Sequence, residues 1–464
     1  MFKRLRKIAA AGVVAAAPLI STLMVPGVAH ALTGTTYKWT GTCSTFSAGS
    51  PANCTSTSLT WSQPGNWAVS SDGGVTYGAS SATVTAPQST DNSGAGDNIV
   101  FDDDALTATT STNDDIASLK VNNVSVIGTA STFFYSVSGQ DLTVAGGVGG
   151  SNLGSQLHMQ NNVIFTGDQT FGDTTMSNAD MTLGAGLTVA SGTLTAGSYI
   201  NASTLTIASG ATLKVTHGGN GVLAGAGSLV VASPDANLPY PDAFDAVDTG
   251  SASTFSGAID IQKGAQFVIF SDNPTYSLGT AAITIEDGGQ IDMELNPNPA
   301  AETGTVTITN PVTMAGNGAG VDQMNQGAII AGLYDSAKHE VAGTLAVTLS
   351  GDVTLTGDTS LASTYATKTT YNFTGNLNKN GHVLGAVTAS RPTYGDTLVQ
   401  VNGQTVAGGS TPAPKTPDTG FALAAAHPGQ TLALTLLSAA GIGGVAFKTR
   451  RATATATSRR TSRR

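Results

Sequence analysis

Five aspartates lie close together early in the chain, Asp102-Asp103-Asp104 and then Asp114-Asp115. A hard cation takes several carboxylate and carbonyl oxygens, so Asp102, Asp103 and Asp104 are the candidate calcium ligands and calcium is the one candidate cofactor. The run lacks the D-x-D-x-D-G order and the bidentate glutamate of a calcium loop, which favours a solvated acidic loop. The chain has two cysteines, Cys43 and Cys54. In an exported chain a disulfide closing that Thr/Ser-rich loop is their expected use, because a metal site needs further Cys or His ligands nearby. Spacing alone leaves free thiols open. Trp39, Trp61 and Trp67 read either as platforms for sugar rings or, preferentially, as a buried apolar plug.

Catalytic chemistry is thinly provided. Between residues 32 and 410 there is a single arginine, Arg391, and four histidines, His158, His217, His339 and His382, are scattered without partners in sequence. No G-x-S-x-G, H-E-x-x-H or phosphate-cradling loop occurs. The expectation is that the chain is not an enzyme and has no catalytic residues. The alternative is a polysaccharide lyase or hydrolase whose carboxylates converge from distant positions.

The ends carry targeting patterns. Lys3, Arg4, Arg6 and Lys7 precede an apolar run over residues 8–25, and Ala29-His30-Ala31 supplies an A-x-A site, so residues 1–31 read as a signal peptide cleaved after Ala31. At the far end a spacer leads to Thr416-Pro417-Asp418-Thr419-Gly420, then to an apolar stretch at residues 431–447, then to Lys448, Arg450 and Arg451. At 17 residues that stretch is short for a spanning helix, and residues 421–426 extend it if Pro428-Gly429 makes a kink. The bases hold the tail inside the cell.

This order of spacer, pentapeptide, apolar segment and basic end resembles the sorting signal of Gram-positive wall-anchored proteins, in which a sortase cuts Leu-Pro-x-Thr-Gly between Thr and Gly. The resemblance implies sortase and peptidoglycan as partners, with Thr419 joined to a peptidoglycan amine. Thr416 stands where that family has leucine. A plain C-terminal membrane anchor is the alternative, and in both readings the body lies outside the cell, anchored to the wall or membrane.

The body carries 8 bases against 29 acids, a formal charge of −21 that the chain-wide −10 hides. Such a surface argues against binding nucleic acid through a basic patch. Gly, Thr, Ser, Ala and Val dominate, and β-branched residues punctuated by Gly and Asn favour strands and tight turns over helices.

These strands repeat. Apolar pairs with one residue between them mark a strand with one buried face, and Ile259/Ile261, Phe267/Ile269, Ile283/Ile285 and Ile291/Met293 recur at spacings of 8, 16 and 8. Leu205/Ile207, Leu213/Val215 and Leu229/Val231 show the same 8-then-16 spacing, and Val306/Ile308 follows Ile283/Ile285 after 23. Gly210, Gly264 and Gly288 fall between pairs, where a corner must bend the chain. A unit this short cannot bury its apolar face alone, so stacked coils are expected. A Pro- and Asp-rich interruption at residues 233–250 is expected to protrude, with Tyr240 and Phe244 as candidate ligand-binding residues.

Residues 254–293, TFSGAIDIQKGAQFVIFSDNPTYSLGTAAITIEDGGQIDM, resemble the autotransporter-associated β-strand repeat, and residues 142–361 resemble it more loosely. The N-terminal Trp39-Thr40-Gly41, Asn66-Trp67 and Gly96-Asp97-Asn98-Ile99-Val100-Phe101 are similar to the start of such passengers. The resemblance implies an all-β, right-handed parallel β-helix, here followed by a transmembrane helix where the family has a β-barrel.

The expected organisation is therefore a signal peptide at 1–31, a cap at 32–104, solenoid repeats at 105–402 and the spacer with its sorting motif at 403–420. A membrane segment at 421–447 and a basic tail at 448–464 complete it. The expected role is adhesion to a host, neighbour-cell or glycan ligand, or envelope architecture; a self-assembling coat without ligand is the further alternative.

Overall fold

A computed structural model describes residues 34–41, 45–47, 50–56, 59–80, 86–87, 96–102, 110–127, 135–150, 157–171, 181–197, 200–216, 218–233, 242–247, 253–271, 278–295, 303–318, 327–334, 341–364, 367–387 and 396–408. Within them the chain is nearly all β, with long parallel sheets of the kind a β-solenoid builds. The described helical structure is one 3-10 turn, Pro64–Asn66. The strands form a 27-stranded sheet, a five-stranded sheet and a two-stranded hairpin.

The pairing register explains why this sequence stacks. Strands Thr193–Ala196, Thr212–Val215, Ser228–Val231, Ala258–Ile261, Ala282–Ile285, Val312–Gly316 and Val353–Ser363 lie side by side in parallel. Leu194, Leu213, Leu229, Ile259, Ile283, Val312 and Val353 are successive Cα partners along this ladder. Two residues on, Ala196, Val215, Val231, Ile261, Ile285, Met314 and Leu355 form a second file in the same register. All these side chains are buried, so each apolar pair finds its cover in the pairs above and below. The residue between them points outward because side chains alternate along a strand.

The predicted period holds where it was clearest: Ile259 pairs with Ile283, Ile261 with Ile285, Phe267 with Ile291 and Ile269 with Met293. It fails at Val306/Ile308. The place above Ile283 and Ile285 is taken by Val312 and Met314, while Val306 and Ile308 pair with Val347 and Leu349 in the five-stranded sheet. Alternation identifies a strand but not the ladder it joins. In the preceding coils the corresponding step is short, with Phe255 and Leu278 buried and the Thr280 amide donating to the Phe255 carbonyl at 3.0 Å. From Thr303–Ile308 onward that step widens into full strands, Gly343–Leu349, Thr367–Phe373 and Thr397–Val401.

Gly210, Gly264 and Gly288 do mark corners, with φ of 79°, 80° and 90°, a region costly for residues bearing a Cβ. The interruption at 233–250 does not protrude as a whole. Asp242–Val247 is a strand of the main sheet, paired in parallel with Gly219–Gly225 and Ala265–Ser271.

At the N-terminal end, Thr36–Trp39 pairs in parallel with Asp97–Asp102 and antiparallel with Trp67–Ser70. The antiparallel strand covers an edge that would otherwise expose unpaired backbone groups. Trp39, Trp61 and Trp67 are buried, with the Trp67 ring 4.9 Å from Trp39 and 5.5 Å from Trp61, both edge-on. Phe101 and Tyr135 continue the aromatic cluster into the coils.

Candidate functional site

The tryptophans are the plug and not a sugar platform, because none presents an exposed ring face. Two of them, Trp61 and Trp67, use their polar edges inward. Trp67 Nε1 donates to the Trp61 carbonyl at 2.8 Å, and Trp61 Nε1 donates to Thr112 Oγ1 at 2.8 Å.

The acidic residues separate into unlike environments. Asp102 ends the strand Asp97–Asp102 and its Oδ2 lies 3.2 Å from Lys38 Nζ, an ion pair on the cap side. Lys38 also sits 4.9 Å from the centre of the Tyr77 ring. Burial, with the charges of Asp102 and Asp72, pushes the Tyr77 phenol up to about 12. Asp102 is thus engaged by a cation of the chain itself, while Asp103 and Asp104 lie outside the described residues. Among the described residues no three His, Cys, Asp or Glu side chains gather as a metal site.

Asp114 and Asp115, ten residues on, do not belong to a solvated loop together. Asp114 is the last residue of Thr110–Asp114 and is fully buried, whereas Asp115 accepts hydrogen bonds from the Ser62 amide at 2.8 Å and the Ser62 hydroxyl at 2.5 Å. Burial pushes the Asp114 carboxyl up to about 7, and the neighbouring Asp115 charge adds to it. Asp72 behaves oppositely: hydrogen bonds from the Thr76 hydroxyl and amide and the Ser70 hydroxyl hold it down at about 2.

A recess of about 420 Å³ opens at the corners following these strands, lined by Ser118, Gly139, Gln140, Asp141 and Thr143 among others. Among the described residues that line it, Asp141 is the one carboxylate, so they do not supply the paired carboxylates that glycoside chemistry uses. His158 is half-buried and its pKa is lowered by burial, and His382 Nδ1 is 3.7 Å from Asp358 Oδ1 on the surface. The structure does not bring these two histidines together with the recess. His217, His339 and Arg391 lie outside the described residues.

Phe244 lies on the strand Asp242–Val247, as the Cα partner of Gly219 and Phe267, and so not on a projecting loop; Tyr240 is outside the described residues. Cys54 lies on Ser50–Ser56, paired antiparallel with Thr45–Ser47, and Cys43 is outside the described residues, as are the A-x-A site at Ala29 and Ala31 and the pentapeptide 416–420. No described helix is long and apolar enough to cross a membrane, and residues 421–447 are outside that description.

No protein-family model, curated protein or solved structure matches the chain. The class defined by the structure is an all-β protein of long parallel ladders with an aromatic N-terminal plug.

Proposed function

We propose that the chain is an exported cell-surface protein whose body is a right-handed parallel β-helix serving in adhesion or envelope architecture. The signal-peptide pattern at 1–31 and the sorting-type order at 416–451 support export and retention at the wall, with sortase and peptidoglycan as partners and Thr419 as the attachment residue. Cys43 and Cys54, both in the exported part, are proposed to form a disulfide there.

The observation that carries the reading is the division of labour along each strand. Inward positions such as Ile259 and Ile283 hold the ladder, and outward ones such as Asp260 and Thr284, Cα partners in the same register, are spared that task. A scaffold of this kind supports a long, acidic, variable exterior without loss of core, which suits a surface display protein.

Mass spectrometry of peptides released from digested cell walls tests it. The expected product ends at Thr419 with a wall fragment attached. Recovery of chains with Arg464 from the membrane fraction and none from the wall would reject sorting. Specific binding of the exported body to a glycan, a host matrix or neighbouring cells distinguishes adhesion from a purely structural role.

A further inference from the structure

We infer that the seam between the N-terminal plug and the first coil loosens as pH rises from acid to neutral, because the carboxyl of Asp114 is sealed at that seam and must be uncharged for it to close fully. This goes beyond the surface role proposed above and does not depend on it.

The seam is built on the strand Thr110–Asp114. Its Asn113 amide donates to the Leu59 carbonyl at 2.7 Å, and the Trp61 amide donates back to the Asn113 carbonyl at 2.9 Å. Trp61 Nε1 reaches Thr112 Oγ1 on the same strand, and Ser62 binds the carboxylate of Asp115. The alternation that turns Thr112 inward also turns Asp114 inward, directly beside this clasp.

Inside, Asp114 is poorly provided for. Its Oδ1 accepts from the Ile116 amide at 3.1 Å, but its Oδ2 is buried with no hydrogen-bond partner. The strand on the coil side, Tyr135–Gly139, places Gly139 opposite Asp114, so close that a Cβ there would lie 2.0 Å from the Asp114 carbonyl oxygen. An ionised carboxylate in such a site keeps one oxygen without donor or solvent, and that penalty falls on the closed seam alone.

The charged and titratable surroundings do not offset it. The plug segment 59–63 contributes no ionisable side chain. The strand Tyr135–Gly139 contributes only Tyr135, whose hydroxyl donates to the Asp102 carbonyl at 2.7 Å. Asp115 adds like charge, Asp141 lines the neighbouring recess, and the next cation along the chain is Lys120. Burial raises the folded-state pKa to about 7. The resulting stabilisation is complete below the unfolded value of 3.8, is lost progressively as pH rises from there, and is gone once pH has risen through about 7.

Amide hydrogen exchange on the full chain, corrected for intrinsic rates, tests this at Trp61 and Asn113 between about pH 5 and about pH 9. Protection should fall as pH rises toward about 7, by up to about tenfold per pH unit, the slope of one proton, and should level off above it. In Asp114→Asn, neutral and nearly the same shape, that slope should vanish. Infrared spectra of the unmutated chain give a second readout that needs no variant: a protonated carboxyl band should titrate near pH 7. Flat protection across the range, a slope retained in Asp114→Asn, or loss of the carboxyl band already by about pH 5 would overturn the inference.

Discussion

Ile259 and Ile283, twenty-four residues apart, are Cα partners on adjacent parallel strands, and both are buried. Their contact is why a chain with few aromatics and little charge acquires a continuous interior. Each member of the ladder stacks on its neighbours within one continuous core. Loss of one inward side chain therefore acts on the strands next to it, while loss of an outward one does little.

Ile283→Ala should accordingly destabilise the fold by about 2 to 5 kcal/mol, the range for truncating a buried isoleucine in a packed core. Thr284→Ala, one residue away on the exposed face, should stay within about 0.5 kcal/mol. Denaturant unfolding of the two variants checks the contrast, and equal effects would remove the inward and outward distinction.

Corners make a second contrast. Gly279 has φ of 66° and a Cβ there would lie 2.1 Å from the Phe255 carbonyl oxygen, whereas Gly210, at φ of 79°, has nothing within 4 Å. Gly210→Ala should cost about 1 kcal/mol for its left-handed backbone. Gly279→Ala should cost more, because backbone must also shift. Thermal unfolding measures both.

Trp67→Ala should open the N-terminal plug at a cost of about 3 to 5 kcal/mol, since it removes the ring that contacts both Trp39 and Trp61. Trp67→Phe should cost less, losing mainly the 2.8 Å bond to the Trp61 carbonyl. Exchange protection should fall around residues 59–70 and remain near Ile283. Uniform loss along the coils would contradict a locally stabilised stack.

The loop at Asp72 should respond to acid. Its carboxylate accepts from the Thr76 hydroxyl and amide and from the Ser70 hydroxyl, which hold its pKa at about 2. The order it gives the loop is present above the ordinary value of 3.8 and is lost as pH falls through about 2. Amide exchange at Val75 and Thr76 over that range checks it, and Asp72→Asn should show no such transition.

How much of this was legible in the residues depends on how loudly each strand announces itself. Ile259/Ile261 and Phe267/Ile269 carry bulky apolar pairs at even spacing, and their strands and partners followed directly. Val306/Ile308 carries the same signal, yet it joins another sheet, because alternation says nothing about which ladder a strand enters. Asp242–Val247 was hidden by the prolines and aspartates around it. Asp114 was the least visible: Thr110–Asp114 is wholly polar, so no apolar pair revealed that its even positions turn inward. Once the strand is placed, that same alternation shows the carboxyl to be buried.

The central claim is the register itself, and crosslinking reads it directly. Asp260 and Thr284 are outward-facing Cα partners on neighbouring strands, and Thr313 is the partner of Thr284 one strand further on. Adjacent strands lie about 4.8 Å apart, within disulfide reach, and alternate strands about 10 Å apart, beyond it. Under mild oxidation, followed by peptide mapping, Asp260→Cys with Thr284→Cys should form a bridge and Asp260→Cys with Thr313→Cys should not. Failure of the first pair, or equal bridging by the second, would contradict the stacked ladder.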